Sequence, residues 1–174
     1  ILDLRCNVIT SGTMARKQAI IDVGMFENEN VRAHDFILWL KMAKNGAKIG
    51  YQTKPLLKYR ERLDSLSGDS ITRVEREHDA FERVARGFDL TAEQNAIVEK
   101  HLAILEANLA VEQGKAFLLN GEFPEARLAF RVANHYRKSL KLAVISLLTR
   151  IAPRMLLKYY RSQRSAEIAF IPQK

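Results

Sequence analysis

Apolar positions recur at helical spacing over most of the chain. Phe36, Trp39, Leu40 and Ala43 stand at i, i+3, i+4 and i+7, which predicts an amphipathic helix opening at His34-Asp35. Gly46 is its natural stop. Val74, Phe81 and Val84 mark a stripe over Ile71 to Arg86, broken by Gly87-Phe88-Asp89-Leu90. Thr91, with Gln94 three residues on, has capping-box spacing, so a long helix should begin there and run through Ile97, Leu102, Leu105 and Leu109 toward Leu119. Asn120-Gly121 ends it, and Pro124 opens the next helix in its first turn. Ahead of Ser67-Gly68-Asp69-Ser70, a boundary signal, the pattern is mixed. A helix is expected from about Ala15 to Val23, and strands near Leu4 to Ile9, Lys48 to Gln52 and Leu56 to Arg60.

The expected fold is therefore an α/β segment over residues 1–69 followed by an all-α region over residues 70–174. A small sheet of this kind would leave an open edge, a hazard for self-association. Within the helical region, Gly114, Phe117, Ala126, Phe130 and Ala133 have the spacing at which a tetratricopeptide repeat places its small and aromatic residues. Small residues let two antiparallel helices approach, and aromatics fill the gap. Only one clear copy is present, and a stable array needs about three, so a single helical hairpin is expected.

Asp35 is the one carboxylate placed for chemistry, in the first turn of its helix. Exposed N–H groups and the helix dipole complement a negative charge there. Two roles are open on spacing alone: a helix cap, or a functional carboxylate.

From Thr10 to Asp69 the order of motifs resembles the second half of a family two, inverting, GT-A-type nucleotide-sugar glycosyltransferase. The elements are Thr10-Ser11-Gly12-Thr13, the Arg16 to Val23 helix, Gly24-Met25-Phe26-Glu27-Asn28, His34-Asp35, Leu38-Trp39-Leu40, the Gly46 to Tyr51 strand, and Tyr59-Arg60-Glu61-Arg62 with Ser65 and Ser67. The resemblance implies a partial, acceptor-side GT-A-like domain and makes Asp35 the base that deprotonates an acceptor hydroxyl. It also implies that Ser11, Gly12 and Thr13 form a sugar- or acceptor-facing loop. His34 stands where the family has the first acid of a pair; His34 and Trp39 are expected to contact substrate, and Trp39 and Leu40 to anchor the helix. Arg60 and Arg62 would line the diphosphate or acceptor side. Arg62 replaces a family histidine; its forked donors suit phosphate oxygens but cannot bind a metal.

No Asp-x-Asp on a strand end is present to hold a divalent metal and a nucleotide diphosphate, and no nucleotide-binding βαβ unit precedes Thr10. The expectation is a C-terminal piece of a bacterial-type glycosyltransferase making cell-surface glycan, inactive alone. Its partners would be a nucleotide-sugar and a glycan or lipid-linked acceptor in the full-length protein, where Mg²⁺ or Mn²⁺ could serve. No metal ligands are expected in this stretch.

Charge adds a second theme. The chain has 174 residues with a formal net charge of +8, which calls for an anionic partner. Cations gather late, from Arg131 through Lys141 and Arg150 to Arg164, with Tyr136, Tyr159 and Tyr160 among them. The apolar run Leu140 to Ile151 is too short to span a bilayer but able to dock on one, so an anionic membrane surface is a candidate partner. The alternative is a core-forming helix pair with a solvated basic face. Zinc spacing and aromatic-basic strand motifs are missing, which argues against nucleic acid. The single Cys6 excludes an internal disulfide framework and fits a reducing compartment, so the expected location is cytoplasmic, at the inner face of the plasma membrane. His78, His101 and His135 lack ligand-like spacing, and Gly114-Lys115 lacks the rest of a phosphate loop. The competing class is a non-catalytic, tetratricopeptide-like interaction module or a peripheral membrane-binding domain.

Overall fold

The computed structural model describes residues 8–27, 33–58 and 70–169. Among them every regular element is helical: a 3₁₀ turn, Thr10–Gly12, then α1 (Lys17–Ile21), α2 (His34–Lys44), α3 (Ser70–Gly87), α4 (Ala92–Asn120), α5 (Phe123–Arg137), α6 (Leu140–Ile151) and α7 (Pro153–Ala169). The chain divides into two compact units, Ile1–Leu102 and Ala103–Lys174.

The expected α/β segment is corrected by this architecture. Lys48 to Gln52 and Leu56 to Lys58 have no strand pairing, and the whole of Lys48 to Lys58 is exposed. Val8 and Ile9, at the end of the first expected strand, are not strand either. A strand exists only by pairing, since an extended segment cannot satisfy its own N–H and C=O groups. Alternating β-formers such as Ile49 and Tyr51 carry the propensity, but no sheet among the described residues receives them. A partial GT-A-like sheet is thus absent there, and with it the open edge expected to promote self-association. Leu4 to Asn7 with Cys6, Tyr59 to Asp69 with Ser65 and Ser67, and the Ser67 to Asp69 boundary signal lie outside the described residues.

Helix ends follow the sequence signals closely. Gly46 at φ 81° and Gly121 at φ 85° each end a helix in the left-handed region. In each case the next residue reaches back five positions: Ala47 N–H donates to the Met42 carbonyl at 3.0 Å, and Glu122 N–H to the Phe117 carbonyl at 2.9 Å. These bonds satisfy carbonyls the helix leaves open. At the start of α4 the capping box is reciprocal. Gln94 N–H donates to Thr91 Oγ1 at 3.2 Å, and Thr91 N–H donates to Gln94 Oε1 at 3.0 Å.

In the first unit α2 is the centre. Ile37, Leu38, Trp39 and Leu40 are consecutive and all buried, so this helix is covered on more than the single face its i, i+3, i+4 pattern predicts. One side holds Leu38, Trp39 and Met42 against Val8, Ala15, Ala19, Ile20, Val23 and Ala47. On another, the Phe36 and Phe81 rings meet at 5.4 Å, and Phe81 also meets His101 at 5.0 Å. Glu27 clamps this arrangement by accepting from Lys41 Nζ at 2.9 Å and from Arg83 Nη2. It ties the segment after α1 to α2 and α3.

In the second unit α4 and α5 form an antiparallel hairpin. Gly114 of α4 faces Phe130 of α5, while Arg137 donates to Asn108 Oδ1 six residues earlier on α4. A Cβ on Gly114 would lie 2.8 Å from Phe130 Cε1, so the glycine is required by the ring above it. Phe130, Ala126, Ala133 and Leu118 are fully buried and pack with Leu142 of α6 and Leu156 of α7.

Candidate functional site

Asp35 is the second residue of α2, not its N-cap. Ala33 occupies the cap position at φ 59° and makes no side-chain cap bond. The Asp35 carboxylate partly takes over that duty: Phe36 N–H donates to Oδ1 at 2.8 Å. Its other oxygen, Oδ2, accepts from Thr10 Oγ1 at 2.7 Å. That bond joins residues 25 apart in sequence and brings the 3₁₀ turn to the helix start.

The turn is held by its own backbone. Gly12 N–H donates to the Ile9 carbonyl at 2.9 Å and Thr13 N–H to the Thr10 carbonyl at 3.2 Å. The Thr13 hydroxyl also donates to Ile9 O at 2.7 Å. Ser11, Gly12 and Thr13 are exposed. Leu57 reaches the turn, its Cδ2 lying 3.5 Å from where a Gly12 Cβ would stand. So the segment leading toward Arg60 passes beside the turn, while Arg60 and Arg62 themselves lie outside the described residues.

His34 is exposed, and its ring stands edge-on to Phe26 at 5.6 Å. Trp39 is in the core with Leu38 and Met42 and is 7% exposed. Its Nε1 has no hydrogen-bond partner, an orphaned donor of the kind that costs about 1–3 kcal/mol. The expected residues thus separate: Asp35 and the Thr10–Gly12 turn come together, His34 flanks them, and Trp39 holds the helix from inside. Thr10, the residue that touches Asp35, was part of the hydroxyl run but not singled out. A hydroxyl ahead of a helix-start acid was the only available signal.

Around Asp35 the arrangement is that of a carboxylate accepting a hydrogen bond from a hydroxyl. One oxygen is pinned by backbone and the other receives an alcohol. Among the described residues no three His, Cys, Asp or Glu side chains converge to hold a metal ion.

Two concavities lie elsewhere. One, of about 470 Å³, is lined by Asp22, Lys41, Lys44, Asn45, Phe88 and Asp89 near the C-terminal end of α2. It begins roughly 9 Å along the helix axis from Asp35, and its lysines are balanced by carboxylates. The other, of about 430 Å³, lies between α5 and α6 and is lined by Arg127, Arg131, His135 and Arg150 together with Asn134 and Ser146. Sequence reasoning named the cationic region but missed Arg127; its i, i+4 spacing to Arg131 was the signal.

No protein-family model, curated protein or solved structure matches the chain. The functional conclusion therefore rests on the site's geometry and on the motif order around Asp35.

Proposed function

We propose that the chain carries the acceptor side of an inverting, nucleotide-sugar-dependent glycosyltransferase, with Asp35 as the base. The observation that carries this is the 2.7 Å hydrogen bond from Thr10 Oγ1 to Asp35 Oδ2. An acceptor sugar hydroxyl would take the position of the threonine hydroxyl. Asp35 would then accept its proton as the oxygen attacks the anomeric carbon, while the bond from that carbon to the nucleoside diphosphate breaks and the diphosphate leaves from the opposite face, with inversion. Such general-base assistance contributes about 10²–10⁴-fold in rate. Phe36 N–H steadies the second oxygen, so the carboxylate is oriented before substrate arrives.

In this proposal Ser11, Gly12 and Thr13 face the sugar, and Arg60 and Arg62 hold diphosphate oxygens. The rest of donor binding, with any divalent metal, is assigned to no residue of this chain. The acceptor is a cytoplasmic glycan or a lipid-linked sugar at the inner face of the plasma membrane. Among the described residues no helix is long and apolar enough to cross a membrane.

The test is sugar transfer by the full-length protein carrying Asp35→Asn. This change keeps the size and the acceptor oxygen but removes the base. Transfer should fall by about 10²–10⁴-fold with helix content unchanged. Transfer at the wild-type rate would remove the proposal. The 174-residue chain alone should give no heat with nucleotide-sugar and Mn²⁺ in calorimetry.

A second reading, a helical interaction module, is favoured by the α4–α5 hairpin and by the fact that every regular element among the described residues is helical. It predicts that Asp35→Asn leaves transfer intact.

A further inference from the structure

The groove between α5 and α6 is cationic without internal compensation. Arg127 and Arg131 stand one turn apart on α5, His135 follows one turn later, and Arg150 enters from α6. No Asp or Glu occurs between Glu125 and Glu167. Among the described residues no carboxylate pairs with Arg127, Arg131 or Arg150, whereas Arg86 and Lys115 elsewhere have glutamate partners. Three guanidinium forks around about 430 Å³ suit phosphoryl oxygens, which accept in pairs.

Beside this groove α6 turns an apolar stripe outward. Leu140, Val144, Leu147 and Ile151 recur at helical spacing, yet are 86%, 53%, 53% and 66% exposed. The opposite side of the same helix supplies the core through Leu142, Ile145 and Leu148. Leu147 belongs to both features, lining the groove and standing in the stripe. Cations flank the stripe: Lys141 on one side, Arg150 on the other.

We propose that the α5–α6 face is an interfacial docking site for an anionic bilayer. Arg127, Arg131 and Arg150 take headgroup phosphates, and the α6 stripe enters the acyl boundary. A dissolved phosphate would satisfy the arginines but leave the stripe in water. An apolar partner would cover the stripe but strand the cations. A surface of phosphates over hydrocarbon satisfies both at once. This names the contact for the membrane-surface part of the proposed function and is independent of Asp35.

The experiment is sedimentation of the full chain with phosphatidylcholine vesicles, with and without phosphatidylglycerol. Binding should require the anionic lipid and weaken from about 0.1 M to about 1 M salt. Each arginine changed to glutamine should weaken partitioning about fivefold, and R127Q/R131Q/R150Q together roughly a hundredfold. Leu147→Asp should weaken it with all three arginines present. These side chains are largely outside the core, and circular dichroism of each variant verifies folding.

Absence of lipid-dependent sedimentation overturns the proposal, as does undiminished binding by the triple variant. Calorimetric binding of inorganic pyrophosphate without vesicle binding reassigns the groove to a soluble phosphate and overturns the lipid assignment. A dimer in light scattering that Leu147→Asp dissolves assigns the stripe to a second copy and overturns it too. The assay contains no sugar chemistry, so its failure leaves the Asp35 prediction standing.

Discussion

The two compact units are built on opposite terms. Residues 103–174 bury a contiguous core of small and large side chains, with Phe130 seated over Gly114 at the spacing of a helical-hairpin repeat. Residues 1–102 hold the ordered motifs, and their packing centres on the eleven-residue α2, with Val74, Phe81 and Val84 of α3 and Val98 of α4 also buried. In the second unit helices were specified by local pattern and close packing together. In the first, Lys48 to Gln52 carries residues suited to a strand and finds no sheet among the described residues.

The largest expected effect lies in the second unit. Phe130→Ala removes a fully buried ring and should cost about 3–5 kcal/mol in urea unfolding followed by helix dichroism. A cost below about 1 kcal/mol would show that this core is not tight. Leu38→Ala is the counterpart in the first unit. About 2–3 kcal/mol is expected there, toward the lower end for such truncations, because the cluster around Leu38 is smaller. Trp39, the chain's single tryptophan, reports that loss by fluorescence. If Leu38→Ala proves the costlier change, the contrast between the units is wrong.

Gly114→Ala comes next. Replacing a helix-interior glycine ordinarily stabilises by up to about 1 kcal/mol. Here the new methyl meets the buried Phe130 ring at 2.8 Å, so the sign should invert to about 1–3 kcal/mol of destabilisation. Thr91→Ala should cost about 1 kcal/mol by opening the capping box at the start of α4.

The smallest effect concerns pH. The Tyr160 hydroxyl titrates above its ordinary value of 10.0, chiefly because it is buried, with Glu112 and Tyr159 adding to the shift. The unfolded chain therefore ionises first as pH rises. The contribution to stability is full below pH 10 and is lost as pH climbs from there through the folded value. Thermal melts should show a steeper loss above pH 10 in the wild type than in Tyr160→Phe. Equal slopes would place Tyr160 in solvent.

How much could be read in advance differs by element. The start of α4 at Thr91, its end at Asn120-Gly121, and the stop of α2 at Gly46 were legible because caps are local: one side chain or one left-handed residue decides them. The Val74, Phe81 and Val84 stripe was legible because burial on one side leaves a period. Lys48 to Gln52 misled, since Ile49 and Tyr51 carry β-propensity whose realisation depends on a partner remote in sequence. The burial of Ile37 to Leu40 was hidden for the same reason, because Leu38 and Trp39 are covered by Val8, Ala15, Ala19, Ile20 and Val23, some 15 to 30 residues earlier in the chain. At the candidate site Asp35 was visible as an acid at a helix start. Its contact with Thr10 depends on tertiary closure across 25 residues and could not be read from either neighbourhood. The α5–α6 groove was visible as charge, but its pairing with an outward apolar stripe appears only once α6 shows which side it buries.

The most direct measurement sets the two units against each other in one transfer assay of the full-length protein with a water-soluble acceptor. Asp35→Asn should lower kcat by about 10²–10⁴-fold, while R127Q/R131Q/R150Q should leave kcat within about twofold of wild type. Retained turnover in Asp35→Asn, with donor hydrolysis and fold unchanged, would contradict the assignment of the chemistry to residues 10–35.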